Sequence, residues 1–401
     1  MPTVRKALII GSGIAGPATA IALQKAGIDA ALFEARQRDA TGAGAFLTVA
    51  SNGVDALRVL DAQQALAASF DTPFIVLRSS SGKYLGRTRT GIELPDGVAG
   101  LTITRSDLYQ GLHDEAARRG IDVQHSRRLV GVDESASGVL ARFADGTEAE
   151  GDVLIGCDGV HSTVRELIDP HAPKPAFAGL LTTGGYASGV LVDTEPGSYE
   201  MIFGKRAFFG YVSAPDGSVW WFANVPRSDE PARGGLDTSN GDVRQQLIEL
   251  FDADAGPAVA LIEATDRPMP PSAIHTLAHL PNWHRGRSIV IGDAAHAPSP
   301  TSGQGASLSI EDALVLAKCL RDLPGHQQAF EFFVAQRRPR VEQIIKWAAR
   351  INSNKAPGRF AAALRDLVLP PILKLTFDSK ASTQQFSYRV DWNSPVEGQR
   401  P

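Results

Sequence analysis

Short, uninterrupted apolar runs alternate with helical periods along most of this 401-residue chain. Such runs occur at Ala7 to Ile10, at the start of Asp152 to Arg165 and at Ser288 to Ile291. Their length and lack of alternation predict strands buried on both faces of a parallel sheet. Asp29 to Phe33 supplies another strand of that sheet. After Ala306 the residues Ile310, Ala313, Leu314 and Ala317 share one helical face. Beyond Pro324 a longer helix carries Phe330, Phe333, Val334, Arg337, Val341, Ile344 and Ile345, with a kink expected at Pro339. Two blocks have a different period. Thr72 to Val98 and Pro173 to His275 alternate apolar and polar residues between turn signals, and Asp216-Gly217, flanked by aromatic and β-branched runs, predicts a hairpin. Together the blocks predict one antiparallel sheet. Leu367 to Phe377 is apolar but interrupted by Pro370 and Pro371. It is shorter than the roughly 20 residues of a bilayer span and is expected to lie as a lid over the protein's own core.

Each buried strand ends on a turn suited to a nucleotide: ALIIGSGIAG, DVLIGCDGVHSTVR and SIVIGDAAHAPSPTSGQG. Three such turns in this order point to one extended ligand lying across one sheet. In the first, Gly11 makes the tight turn, Gly13 admits a pyrophosphate and Gly16 lets the next helix pack on the strand, with Ser12, Ile14 and Ala15 completing the loop. Pro17 suits the helix's first turn and Gly27 its end. Glu34, which closes the second strand, is placed to accept hydrogen bonds from ribose hydroxyls. Ala35 and Arg36 follow, and Arg36 suits either a 2′-phosphate of NADP or stacking on adenine. The third turn decides for FAD. Asp293, after Gly292 at the carboxyl end of its strand, suits ribityl hydroxyls. Pro298, Pro300 and Gly303 shape the loop. After Gly305, the free N–H groups and positive end of the helix beginning near Ala306 suit the N1/C2 carbonyl edge of a reduced flavin.

GSGIAG, the EAR of Glu34 to Arg36, the TRSDL of Thr104 to Leu108, the CDGVHSTVR of Cys157 to Arg165 and the GDAAHAPSPTSGQG of Gly292 to Gly305 stand in a family-specific order. In that order they resemble the class A flavoprotein monooxygenases, aromatic hydroxylases with the p-hydroxybenzoate hydroxylase fold, up to about Arg350. The resemblance implies noncovalent FAD, with Arg105 near the ribityl and pyrophosphate, Asp158 near the pyrophosphate and the nicotinamide route, and Asp293 on the ribityl chain. Ser307 departs from the family, where many relatives carry Asn; the backbone contacts at that turn remain. The implied cycle is reduction of FAD by transiently bound NADPH or NADH, addition of O2 to give a C4a-hydroperoxide, and transfer of its distal OH to an electron-rich aromatic or polycyclic small molecule. No second G-x-G-x-x-G follows a strand and no Cys-x-x-Cys occurs, in keeping with a nicotinamide that has no domain of its own.

The expected fold class is α/β. A Rossmann-like FAD-binding domain (1–72, 99–172 and 277–355) is interleaved with an antiparallel-sheet substrate domain (73–98 and 173–276), plus C-terminal helices within 356–401. Between flavin and sheet the substrate is expected to meet Arg206 or Tyr211 for polar orientation, Trp220 for stacking, and Pro298 and Pro300 on the flavin side. Alternation puts Arg206, Phe208 and Gly210 on one face and Ala207, Phe209 and Tyr211 on the other, without saying which looks inward. A net charge of -4, with 43% hydrophobic and 21% charged residues, fits a soluble enzyme and gives no reason to expect nucleic acid. The basic pairs Arg118-Arg119, Arg127-Arg128 and Arg337-Arg338 read as solvated faces. MPTVRK carries no apolar leader, so a cytoplasmic protein is expected, monomeric or homodimeric. The two cysteines suggest no disulfide and the histidines show no metal-ligand spacing; Cys157 reads as a small core residue and His296 as a structural contact to its loop. Two other functions stand beside the hydroxylase. One is a flavin-dependent halogenase, whose W-x-W-x-I-P pattern is not met by WWFANVP at Trp220 to Pro226. The other is a flavin-bound sequestration protein without turnover.

Overall fold

The computed structural model describes residues 4–37, 45–195, 197–230, 243–352, 359–376 and 383–396. Its central sheet has six strands, in the order His284–Arg285, Ser288–Val290, Val153–Gly156, Lys6–Ile10, Asp29–Phe33 and Val123–Gln124. All pair in parallel except the first two. Leu8, Ile9, Leu154, Ile155, Ile289 and Val290 are wholly buried, as strands covered on both faces must be. The helix Ala15–Lys25 crosses between the Lys6–Ile10 and Asp29–Phe33 strands and packs against the helix Gly305–Asp322. It stops at Gly27, whose φ of +76° is the left-handed conformation that ends helices.

Two small sheets escape the apolar pattern. Gly100–Thr104 pairs antiparallel with Phe46–Ala50 and Phe70–Asp71 rather than entering the central sheet. Leu129–Glu134, Val139–Phe143 and Glu148–Gly151 form an antiparallel meander that leads into the Val153–Gly156 strand.

Both alternating blocks enter one seven-stranded sheet. Its order is Ser272–Thr276, Ala176–Ala187, Val219–Pro226, Phe208–Ser213, Ser198–Phe203, Phe74–Ser79 and Tyr84–Arg89. The Asp216-Gly217 hairpin forms as its turn chemistry predicts. The sheet is not wholly antiparallel, because Phe74–Ser79 runs parallel to Ser198–Phe203. These two strands come from separate chain segments, so no tight turn imposes the antiparallel sense. The helices Val243–Phe251 and Ala258–Glu263 cover the outer face, packing Phe251, Leu261 and Ile262 on Phe209, Tyr211 and Trp221. The inner face looks toward the small sheet, where the Tyr199 hydroxyl lies 2.5 Å from Thr102 Oγ1 and Phe46 stacks on the Tyr199 ring.

The helix His326–Asn352 continues through Pro339 as one element. Arg359–Thr376 is helical despite Pro370 and Pro371. It lies against the Tyr84–Arg89 strand, and Leu369 packs on Leu85, Phe203 and Phe208. The end of the expected lid, Phe377, lies outside the described residues. Among those residues no helix is long and apolar enough to cross a membrane.

Candidate functional site

The glycines of the first turn separate protein packing from ligand space. A Cβ on Gly11, at φ +96°, would stand 2.6 Å from the Cys157 carbonyl oxygen, and one on Gly16 would stand 2.0 Å from the Gly11 oxygen. Both positions therefore demand glycine on packing grounds alone. A Cβ on Gly13 would meet nothing within 4 Å, so packing does not require glycine there. The residues present fit a dinucleotide pyrophosphate at this point. The Glu34 carboxylate is held beside the turn, accepting from the Ser12 N–H at 2.8 Å and the Arg36 N–H at 2.9 Å. Ile14 precedes the helix and Ala15 opens it; Ala35 is half-buried and Arg36 exposed. His113 was not visible as a site residue in the sequence. Its Nε2 lies 2.8 Å from the Ser12 hydroxyl and 2.9 Å from the Ser12 carbonyl, and its ring stacks on Tyr109 at 4.0 Å. Burial pushes its pKa down, which favours the neutral ring.

Asp158 follows the middle strand of the three, next to Gly11. Its carboxylate accepts from the Ser162 hydroxyl and, at 3.1 Å, from the Val164 N–H. Burial raises its pKa against those hydrogen bonds. Arg165 ties this loop to the third turn, donating to the Ala294 carbonyl at 3.0 Å and the Val160 carbonyl at 2.8 Å.

In the third turn Gly292 adopts φ +57° and its N–H donates to Asp312 at 2.9 Å. Asp293 is open to solvent yet crowded by surrounding protein; the crowding raises its carboxyl, opposed by the charges of His296 and Arg105. Arg105, exposed at the start of the helix Arg105–Arg118, and Asp293 thus share one neighbourhood. Pro300 opens a tight turn closed by Gly303 at φ +59°. Pro298 is buried, with its ring 4.0 Å from where a Cβ on Gly305 would stand. The first-turn N–H groups of Gly305, Ala306 and Ser307 have no acceptor within their own helix and are available to a flavin edge. The Ser307 hydroxyl is engaged elsewhere, accepting from the Ala50 N–H at 3.1 Å.

Behind this turn lies a buried charge cluster. Asp312 accepts from His296 Nε2 and Arg337 Nε, each at 2.6 Å. Arg337 also pairs with Glu311 at 2.6 Å, and Glu311 in turn takes Arg340 at 2.7 Å. Burial acts to raise the Asp312 carboxyl, but His296 and Arg337 prevail and hold it at about 2. Arg337 is wholly buried, which corrects the reading of Arg337-Arg338 as a solvated pair. The signal was present in the sequence: Glu311-Asp312 is followed by the apolar run Ala313 to Ala317, and a carboxylate pair buried with that run must find cations. The His296 side chain reaches Asp312 on the helix rather than its own loop, where a contact was expected. Cys157 is buried beside Thr19, and burial drives its thiol pKa well upward.

The strand register settles which face of the large sheet looks inward. Tyr211 pairs with Trp221 and Glu200, and all three belong to the outer, helix-covered face. Arg206, in the turn before Phe208, reaches the same side: its guanidinium bonds the Glu249 carbonyl and, at 2.7 Å, Asp252. Neither residue is therefore placed to orient a ligand between sheet and cofactor turns. Alternation alone left the facing open, and the helices supply the answer. Trp220 is on the inner face, its ring centroid 5.6 Å from Phe46, 5.2 Å from Phe70 and 5.3 Å from Tyr186. Phe222, 6.0 Å from Phe46, and Met201 share that face and are half-buried.

A family model described as an FAD binding domain matches residues 5–348. Aurachin C monooxygenase/isomerase of Stigmatella aurantiaca is 31% identical over 385 residues, spanning 92% of this chain and 94% of that protein. FAD-dependent urate hydroxylase of Klebsiella pneumoniae subsp. pneumoniae is 31% identical over 352 residues, spanning 85% and 88%. The solved structure of Klebsiella pneumoniae HpxO complexed with FAD and uric acid superposes with a TM-score of 0.81 at 25% identity, covering 96% of this chain and 98% of that one.

Proposed function

The chain belongs to the FAD binding domain family and is an FAD-dependent monooxygenase, and from that premise we propose that it hydroxylates an aromatic or polycyclic small molecule held between the cofactor turns and the inner face of the seven-stranded sheet. One observation carries this reading. The turns at Gly13, Asp158 and Asp293 end neighbouring strands of the central sheet, and the opposite wall presents Trp220, Phe222 and Met201 half-buried. When bound, FAD accepts a hydride from NADPH or NADH and activates O2, so that one oxygen enters the substrate as hydroxyl and the other leaves as water.

The chain's own contribution is positioning and exclusion of water. Gly11, Ser12, Gly13 and Gly16 shape the pyrophosphate turn, Glu34 to Arg36 face the ribose, and Arg105, Asp158 and Asp293 lie along the cofactor. Gly305, Ala306 and Ser307 offer backbone N–H groups to the flavin edge. Pro298 and Pro300 form the flavin-side wall, and Trp220 stacks on the substrate ring. On this reading residues 1–72, 99–172 and 277–355 carry the cofactor, residues 73–98 and 173–276 the substrate, and 356–401 the C-terminal segment.

The test is direct. Purified protein reconstituted with FAD should oxidise NADPH slowly alone and faster with the right aromatic compound, yielding a product heavier by one oxygen atom. A protein that binds NAD(P) tightly and ignores FAD would sink the proposal.

A further inference from the structure

The register of the large sheet sorts its charges to one side. In the six strands from Ala176–Ala187 to Tyr84–Arg89 the charged residues are Arg78, Arg87, Arg89 and Glu200. All four share the outer parity. Glu200 pairs with Val76 and Tyr211, and Arg78 stands opposite Ile202; Arg87 and Arg89 pair with Val76 and Phe74. Arg78 and Glu200 neutralise each other at 2.6 Å, and Arg87 and Arg89 lie 4.9 and 5.4 Å over the Phe74 ring. The seventh strand adds His275, whose Nε2 is 2.7 Å from Glu230.

The inner parity holds only uncharged side chains. Met201 stands opposite Leu77 and Gly210, and Gly210 opposite Phe222. A Cβ on Gly210 would come within 2.4 Å of the Phe222 ring, so the missing side chain is what lets that ring lie flat along the face. Leu369 of the C-terminal helix closes the edge. Burial raises the Tyr186 hydroxyl pKa, and the Asp107 carboxylate raises it further.

Resting on the monooxygenase reading above, we propose that the substrate is an uncharged, electron-rich ring system, selected by aromatic and aliphatic contact on this inner face with no charged side chain as its anchor. A carboxylate drawn against such a wall loses its hydration and gains no partner. A neutral ring loses nothing comparable and gains edge and face contacts with Trp220 and Phe222.

Matched pairs test this in the FAD-loaded protein: naphthol against hydroxynaphthoate, and methyl para-hydroxybenzoate against para-hydroxybenzoate. Binding is followed by tryptophan emission and by perturbation of the flavin spectrum. The neutral member of each pair should bind at least about tenfold more tightly. Met201→Arg, which places a cation on the inner face, should reverse the preference. A carboxylate that binds as well as its neutral partner overturns the proposal; if it also accelerates flavin reduction by NADPH, the monooxygenase reading stands without it. Failure of every ligand to perturb the protein overturns the proposal and leaves the monooxygenase reading to its own test. A soluble Met201→Arg variant with unchanged preference also overturns the proposal, and if that variant does not fold the matched pairs decide alone.

Discussion

The turns proposed to hold the cofactor and the sheet face proposed to meet the substrate are built by different means. The first, the proposed cofactor wall, is made mostly of backbone: left-handed glycines at 11, 292 and 303, a helix start at Gly305, and carboxylates pinned by N–H groups. The facing wall is made of side chains on alternate positions of a sheet whose other face is a packed core. The first wall has little freedom to vary while still holding the same ligand. The second exchanges one side chain for another without moving the backbone, provided the outer parity stays intact.

Breaking the support behind the cofactor wall should have the largest effect. Arg337→Ala strands Glu311 and Asp312 without their buried cation and should cost about 3–5 kcal/mol of unfolding free energy, read from urea denaturation. A loss within error of zero would mean that Arg340 and His296 suffice. Substitutions on the cofactor wall itself should spare stability and remove the ligand. Asp293→Ala should weaken FAD binding by about 1.5–3 kcal/mol, and Gly13→Val should lower FAD occupancy in a protein that melts like the wild type; retention of FAD through gel filtration checks both.

Acid should reach the same support by another route. The folded Asp312 carboxyl lies at about 2, below its ordinary 3.8. Its contribution, about 2 kcal/mol, is therefore present above about pH 4 and lost as pH falls through 2. The urea midpoint should drop across that window, and drop less in Asp312→Asn. The smallest effect belongs to the outer parity of the second wall. Arg206 pairs with Asp252 at a half-exposed site, so Arg206→Ala should change stability by less than about 0.5 kcal/mol and leave ligand binding unchanged. Weaker substrate binding in that variant would break the distinction between the two faces.

The same distinction explains what could be read from the chain. Gly11 and Gly16 are legible because backbone packing in that turn demands glycine at a fixed spacing. The strands of the large sheet were legible as strands, from alternation and from the Asp216-Gly217 turn. Their facing was not, since a period of two marks both faces equally until a helix covers one. Arg206 and Tyr211 were therefore assigned to the wrong side, while Trp220 lies on the inner one. The Glu311–Arg337 contact joins two helices across a connection, and His113 reaches Ser12 over a hundred positions; spacing carries no information about either. The meander at Leu129–Gly151 is made of short strands with exposed positions, whose pattern is weak beside that of the buried strands.

A ribosome releases the turn at Gly11 long before it has made Arg337, and it makes Gln385 and Tyr388 later still. Gln385 lends its carbonyl to Arg340 at 2.9 Å, and the Tyr388 ring lies 5.1 Å from Arg337 and 4.6 Å from Arg340. The acid pair on the helix Gly305–Asp322 therefore waits for its cations, and the cations wait for their roof, until Tyr388 has been made. A message truncated after residue 352 would encode the turns proposed to meet the cofactor and still deliver a helix whose charged back stands open to water.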